Sequence, residues 1–178
     1  MPKPGYIWWH IILTTHGAWL HGEPRGFRSR GHRIHSSGDH ENRPPKGEHD
    51  GLYRFHIKRS RGAVLIPKRL YEVVGQRIVN KAREQGYRLL VLSVAVTHVH
   101  ALVELPDDYK LAKRVAGSWK QATSHAVRVE LPGKVWAEGG VPIDVRSRTH
   151  QVNLYRYILD HAEKEGAWVW EERLADKR

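Results

Sequence analysis

Residues 87–106, YRLLVLSVAVTHVHALVELP, contain two apolar runs separated by Thr97. Both runs are rich in β-branched and long aliphatic residues, which favours strands over Tyr87–Val96 and His98–Leu105. Pro106 closes the second strand, because proline cannot donate a ladder hydrogen bond. Since only Thr97 separates the two runs, the joint is either a hairpin turn or a bend.

The rest of the chain surrounds this pair with elements of helical or strand periodicity. The predicted elements are a strand at Tyr6–Leu13, helices at Ile66–Gln85 and Asp107–Glu130, a strand or ribbon at Val135–Val145, a helix at Thr149–Gly166 with Thr149 as N-cap, and a short amphipathic tail with Trp168 and Trp170. The first six elements follow the ferredoxin-like, split βαβ order. We therefore predict an α+β fold, with two helices on one face of an antiparallel sheet and the last helix over the other face.

The stretch from about Gly17 to Arg61 differs in kind from its flanks. It is dense in Gly, Pro, His and Arg and has almost no apolar periodicity. Loops of this length are uncommon unless they are functional or disordered. With 178 residues, of which 40% are apolar, the chain suits one domain over 1–178 that carries an insertion at about 17–61.

The composition bounds the partners and the compartment. A net charge of +11 points to a polyanion, most commonly nucleic acid, although charge can also serve solubility alone. The lack of cysteine excludes disulfides and thiolate metal sites. No apolar run approaches the roughly 20 residues that cross a bilayer, and the first residues lack a signal-peptide pattern. We expect a cytoplasmic protein without a membrane partner, associated with the nucleoid when it binds DNA.

The histidines of His98-Val99-His100 are candidate metal ligands. Side chains alternate along a strand, so His98 and His100 share one face while Val99 lies on the other. Imidazole suits Zn, Mn, Cu, Ni or Fe better than Mg. In a chain with 13 histidines, however, an isolated His-x-His is weak evidence, and a pair without a metal is the simpler interpretation. His10, on the first strand, is either near this pair or a hydrogen-bonded core histidine.

The last helix carries a candidate nucleophile. Its predicted buried stripe consists of Tyr155, Ile158, Leu159 and Ala162. Tyr157 points almost opposite that stripe and shares its side with His161, one turn later. A phenol is a poor nucleophile at neutral pH unless it is activated, and a nearby metal supplies such activation. The alternatives are that Tyr157 is an ordinary exposed tyrosine, or that Tyr155 is the nucleophile.

These motifs resemble those of the single-tyrosine HUH transposases, both the insertion-sequence type and the REP-associated tyrosine transposases of bacteria. In that family two histidines flank a hydrophobic residue, as in His98-Val99-His100. A later helix carries Tyr-Ile-x-x-(Gln/Asn/His), as in Tyr157-Ile158-Leu159-Asp160-His161. The resemblance covers about Tyr6–Trp168, apart from the stretch Gly17–Arg61, where this chain is longer than the compact members.

The resemblance implies a metal-dependent endonuclease and strand transferase of single-stranded DNA, often with a hairpin beside the cut. His98, His100 and His161 would be ligands of Mg or Mn. Tyr157 would attack the phosphate, form a 5′-phosphotyrosine link and release a 3′-hydroxyl. The family's third ligand is often an amide, whereas here it is His161, and three imidazoles favour Mn over Mg.

Basic residues interleaved with aromatic rings suit single-stranded nucleic acid. The candidate DNA-binding residues are Trp119, Lys120, Arg146 and Arg148, together with Arg28, Arg30 and Arg33 of the insertion. Core packing is an equal alternative for Trp119. Disorder, or a second metal bound by the insertion histidines, is the alternative for residues 17–61.

Other function classes remain open. The same fold supports a non-catalytic module that binds single-stranded DNA or RNA, which would expose aromatic rings on the sheet. A hydrolase of small substrates is a third class, although the net charge has no evident use there. A homodimer is also left open, and with it whether Tyr157 serves the metal of its own chain or that of a partner.

Overall fold

The computed structural model describes residues 2–20, 22, 36–37, 44–59, 62–140 and 142–172. The chain divides into two compact units, residues 16–64 and residues 1–15 together with 65–178. Over the described residues, the larger unit holds all the strands and three of the four α-helices. None of the described helices is long and apolar enough to span a bilayer.

One antiparallel sheet organises the larger unit. The described elements are β1 (Tyr6–Thr14), α1 (Asp50–Arg59), α2 (Tyr71–Glu84), β2 (Arg88–Val94), β3 (His98–Pro106), α3 (Tyr109–Val127), β4 (Ile143–Val145), α4 (Arg148–Glu165) and β5 (Trp168–Glu171). The strand order is β4-β1-β3-β2-β5, and every pairing is antiparallel. The predicted fold class, an α+β ferredoxin-like sheet, is confirmed.

The two faces of the central strand β3 differ sharply. On the apolar face, Val99, Ala101, Val103 and Leu105 are all fully buried. The opposite face, called here the histidine face, carries His98, His100, Leu102 and Glu104. Helix α4 covers the histidine face, because its Leu154 and Ile158 cluster with Trp8, Val91 and Leu102.

Helix α2 lies on the opposite side of the sheet from α4. Trp168 of β5 is so close to Gly75 of α2 that a Cβ there would approach the indole to 2.0 Å. The next residue, Val169, contacts the cluster beneath α4. Successive strand residues point to opposite faces, so α2, with α3 packed beside it, covers the apolar face.

Capping residues set the ends of α3 and α4. The Asp108 carboxylate accepts hydrogen bonds from the backbone N–H groups of Lys110 and Leu111 at the start of α3. For α4 the predicted N-cap, Thr149, is wrong: the Ser147 hydroxyl accepts from the backbone N–H of His150 at 3.1 Å, so the helix begins two residues earlier. Gly166 ends α4 with a φ of 63°, a conformation that favours glycine.

Two further predictions need correction. Of the ribbon predicted at Val135–Val145, described here except for residue 141, only Ile143–Val145 is a strand, and Trp136 forms an isolated bridge with Thr15. The predicted tail at Trp168–Trp170 is instead the edge strand β5, paired with β2. Its placement depends on the room that Gly75 leaves for an indole, a long-range contact without a local sequence signal.

The smaller unit contains α1, within the stretch that was predicted as a loop. Two large apolar residues of this helix, Phe55 and Ile57, are about half exposed. No side chain among residues 50–58 is fully buried, so this part of the helix has no fully buried stripe that would produce a clear apolar periodicity in the sequence. Earlier in this unit, the backbone N–H and hydroxyl of Ser37 both donate to the Glu48 carboxylate, at 2.9 and 2.7 Å. Arg28, Arg30 and Arg33 lie outside the described residues.

Candidate metal and nucleophile site

Two elements bring three histidines together on the histidine face. Strand β3 supplies His98 and His100 from alternate positions, as predicted, and α4 supplies His161. One ligand atom from each of the three rings lies within 4.8 Å of the other two. Helix α4 is held over them by Ile158, whose full burial contributes about 1.5–3 kcal/mol.

The hydrogen bonds of the rings leave the Nε2 of each histidine available as a ligand. The His161 Nδ1–H donates to the backbone carbonyl of Tyr157 at 2.8 Å, so its Nε2 carries the lone pair. The Nδ1 of His100 is hydrogen-bonded to His10, which leaves Nε2 for a ligand. The Nε2 of His98 is buried without a hydrogen-bond partner.

These three nitrogens fit a metal ion. Ligand atoms at about 2.1 Å from a four-coordinate ion lie about 3.4 Å apart, so histidine nitrogens within 4.8 Å of one another need to close by at most about 1.4 Å. An unpartnered buried nitrogen such as the Nε2 of His98 costs free energy, which a bound cation would recover. Orientation of a ligating imidazole by a backbone carbonyl, as for His161, is usual in metal sites.

His10 of β1 supports the cluster from the neighbouring strand. Its Nε2 and the Nδ1 of His100 are 2.8 Å apart, and the two rings are stacked with centroids at 5.0 Å. The sequence left His10 as either a residue near the site or a hydrogen-bonded core histidine. It is both, because β1 pairs directly with β3.

Burial favours the neutral form of His10, His98 and His100. It lowers the pKa of His100 to about 2, with further contributions from the neighbouring His10, His98 and His161. Burial likewise lowers the pKa of His10 to about 4 and brings the pKa of His98 below its ordinary value. A neutral imidazole offers a lone pair, which is the form that binds a metal.

Tyr157 lies against the cluster within the same chain. Its ring centroid is 4.6 Å from that of His161 and 5.4 Å from that of His100, and the side chain is 47% exposed. Burial and the Glu165 carboxylate raise the pKa of the Tyr157 phenol. Without a cation the phenol is therefore protonated at neutral pH.

The buried stripe of α4 differs from the predicted one. The fully covered residues of this helix are Gln151, Leu154, Ile158 and His161. Tyr155 and Leu159 are half-buried, and Ala162 is exposed. The helix is rotated relative to the prediction because His161 is a buried residue, so Tyr157 borders the buried stripe rather than opposing it.

Tyr155, the competing nucleophile, is directed elsewhere. Its hydroxyl donates to the Glu171 carboxylate on β5. The aromatic contacts described for the three histidines involve Tyr157 rather than Tyr155.

Glu165 is a site residue that the sequence analysis missed. Its carboxylate oxygens lie 3.5 Å from the Nε2 of His98 and 3.9 Å from the Nε2 of His161. The available signal was its i+4 spacing from His161, on the same side of the helix.

The residues predicted to bind DNA have different environments. Trp119 is fully buried, with its indole N–H donated to Gln85, so the prediction that it stacks on bases is wrong: it is a core residue. The Lys120 ammonium is half-buried and donates to the backbone carbonyl of Ala137 at 2.9 Å. Arg146 and Arg148 are exposed.

The two arginines have different partners. The Arg146 guanidinium donates to the carboxylates of Asp107 and Asp144. Arg148, at the start of α4, donates to the neutral amide of Gln151 at 3.0 Å. Arg148 is therefore better suited than Arg146 to meet a phosphate.

Comparisons with known proteins show similarity to solved structures but not to a family model or a curated protein. Among solved structures, the chain is similar to that of a REP-associated tyrosine transposase bound to a REP hairpin. This match has a TM-score of 0.45 and 12% identity, and covers 92% of this chain and 70% of the other.

Proposed function

We propose that this chain is a metal-dependent endonuclease and strand transferase of single-stranded DNA, in which Tyr157 is the nucleophile. One observation carries the proposal. The half-exposed ring of Tyr157 has its centroid 4.6 Å from that of His161 and 5.4 Å from that of His100, and both histidines belong to a cluster able to hold a metal. The sequence resemblance of both motifs to the single-tyrosine HUH transposases supports the same assignment.

The proposed chemistry is an in-line displacement at phosphorus. The Tyr157 oxygen forms a bond to phosphorus and loses its proton to solvent, while the bond from phosphorus to the 3′-oxygen breaks. The 3′-oxygen takes up a proton, so the products are a 5′-phosphotyrosine and a free 3′-hydroxyl, which reverses the reaction when it attacks. Mn²⁺ or Mg²⁺ bound by His98, His100 and His161 would supply charge neutralisation at the phosphate.

The charge of the chain supports a DNA substrate. A net charge of +11 favours binding to phosphates at ordinary ionic strength. Among the described residues, Arg148 is the basic side chain that we propose for DNA contact, with Arg28, Arg30 and Arg33 as further candidates from the sequence. A hairpin-bearing single strand is the proposed substrate, and we expect the protein on the nucleoid.

The covered sheet argues against the binding-module alternative. A sheet that binds RNA presents aromatic rings to stack on bases. Here Trp8, on the histidine face, is 3% exposed and lies beneath α4. Helix α4 therefore closes the sheet around Trp8 to bases, whereas Tyr157 beside it is 47% exposed.

The test is formation of a covalent adduct. The protein is mixed with Mn²⁺ and end-labelled single-stranded oligonucleotides that carry a hairpin flanked by randomised segments, and products are separated on a denaturing gel. We expect an adduct with wild-type protein and with Tyr155→Phe. We expect at least about a 10³-fold loss with Tyr157→Phe, since an essential nucleophile is removed.

The controls separate the alternatives. An adduct that survives in Tyr157→Phe but disappears in Tyr155→Phe would overturn the nucleophile assignment. Binding of the same oligonucleotides in a native gel, without any adduct, would favour the binding module.

A further inference from the structure

We propose that Glu165 is a fourth protein ligand of the metal ion held by His98, His100 and His161, and that it selects for hard cations. This inference rests on the proposed function, because it concerns the metal of that site. The sequence resemblance assigns no role to Glu165.

The contacts of the carboxylate support this assignment. One oxygen faces the Nε2 of His98 at 3.5 Å, and the other faces the Nε2 of His161 at 3.9 Å. The Nε2 of His161 carries a lone pair, since its Nδ1–H is donated to the Tyr157 carbonyl. These separations are close to the roughly 3.4 Å between ligands that share one ion. A cation among them would satisfy the nitrogens and the carboxylate together.

The backbone fixes Glu165 at this position. It is the last residue of α4, one turn after His161, and the backbone N–H of Gly166 and that of Ala167 both donate to the carbonyl of His161. The C-terminus of a helix carries partial negative charge, which is unfavourable for a carboxylate. A bound cation reverses that interaction, because it is attracted both to the carboxylate and to the end of the helix.

The chemistry of the ligands predicts a selectivity. Three neutral imidazoles favour borderline cations such as Ni²⁺ and Zn²⁺, and carry no charge to offset a dication. A carboxylate adds a hard oxygen and one negative charge, which favours Mn²⁺ and Mg²⁺. Glu165 therefore brings a histidine-rich site towards the cations that suit phosphate chemistry.

The test measures metal affinity without DNA. Purified full-length protein, stripped of metal, is titrated by calorimetry with MnCl₂ and separately with NiCl₂, for wild type, Glu165→Gln and Glu163→Gln. Glu163 is an exposed glutamate on the same helix and is the matched control. We expect Glu165→Gln to weaken Mn²⁺ binding at least about tenfold and Ni²⁺ binding by less, and Glu163→Gln to bind both as wild type does.

The outcomes distinguish the two proposals. If wild type and Glu165→Gln bind Mn²⁺ equally, Glu165 is not a ligand, while the histidine site and the proposed function stand. If wild type does not bind Mn²⁺, the metal site itself fails, and this inference fails with it. Glu165→Asp is a second variant: it keeps the charge, and we expect it to retain more of the Mn²⁺ preference than Glu165→Gln. Equal loss in both variants would contradict the role of the carboxylate charge.

Discussion

The two faces of β3 are buried to a similar extent, but they carry different kinds of side chain. On the apolar face, Val99, Ala101, Val103 and Leu105 are completely buried. On the histidine face, His100 and Glu104 are 7% and 2% exposed. Buried polar side chains cost free energy unless they find partners, whereas buried aliphatic side chains stabilise the fold. The apolar face of this strand therefore contributes to the core alone, whereas the histidine face carries the candidate site beside an apolar cluster around Leu102.

The largest expected effect tests whether Tyr157 acts with the histidines of its own chain. Because Tyr157 lies beside His100 of its own chain, we expect a mixture of His100→Ala and Tyr157→Phe proteins to be as inactive as either alone. The measurement is the covalent adduct on a denaturing gel, at least about 10³-fold below wild type. An adduct restored by mixing would mean that the tyrosine serves a partner's metal.

A substitution on each face separates stability from metal binding. Leu105→Ala should lower the free energy of unfolding by about 2–5 kcal/mol, because it leaves a cavity in the core, and should leave Mn²⁺ affinity unchanged. His98→Ala should abolish the Mn²⁺-induced rise in the free energy of unfolding, and should change the stability of the metal-free protein less than Leu105→Ala does. Urea unfolding with and without MnCl₂ measures the free energy of unfolding and its increase on Mn²⁺ binding.

The matched control for stability is Val129→Ala. Val129 is 88% exposed, and its truncation should change the free energy of unfolding by less than about 0.5 kcal/mol. A Leu105→Ala variant that loses Mn²⁺ affinity while still folded would show that the two faces are not separable.

The smallest expected effect is the response of the histidine face to pH. The pKa of His10 is lowered to about 4, so the unfolded chain binds the proton more readily than the folded chain. Stability from this group is therefore complete above about pH 6.5 and is lost as the pH falls towards 4. Between pH 7.5 and 5.5 the loss from His10 alone is about 1.3 kcal/mol, and His100, whose pKa is lowered as well, adds to it.

Chemical denaturation in EDTA at the two pH values measures this loss. The loss of unfolding free energy between the two pH values should be smaller in His10→Gln, which has no titratable imidazole at that position. A wild-type stability that rises on acidification would contradict the assigned direction.

Local patterns predicted the sheet and part of the site. The alternation in His98-Val99-His100 and the i+4 spacing from Tyr157 to His161 are properties of the backbone geometry, so they can be read without tertiary information. The features that were predicted wrongly depend on long-range packing. The rotation of α4, the strand β5 against Gly75 and the burial of Trp119 are each decided by neighbours distant in sequence.

Glu165 and the helix α1 were missed for different reasons. A lone glutamate near the end of a helix resembles a solvent-exposed charge, and its significance appears only when His98 approaches it from another strand. Helix α1 has half-exposed apolar residues and therefore no periodic stripe to detect.

The hydrogen bond from His161 Nδ1 to the Tyr157 carbonyl couples the positions of these two residues across one turn of α4. Tyr157, the proposed nucleophile, also sets the tautomer of His161, a proposed metal ligand, so the two cannot be adjusted independently. One residue inserted between them would rotate His161 by about 100° around the helix and remove the imidazole from both the carbonyl and the cluster. The hydrogen bond therefore requires an interval of four residues between Tyr157 and His161, and we expect substitutions in this helix to be tolerated best on its exposed side.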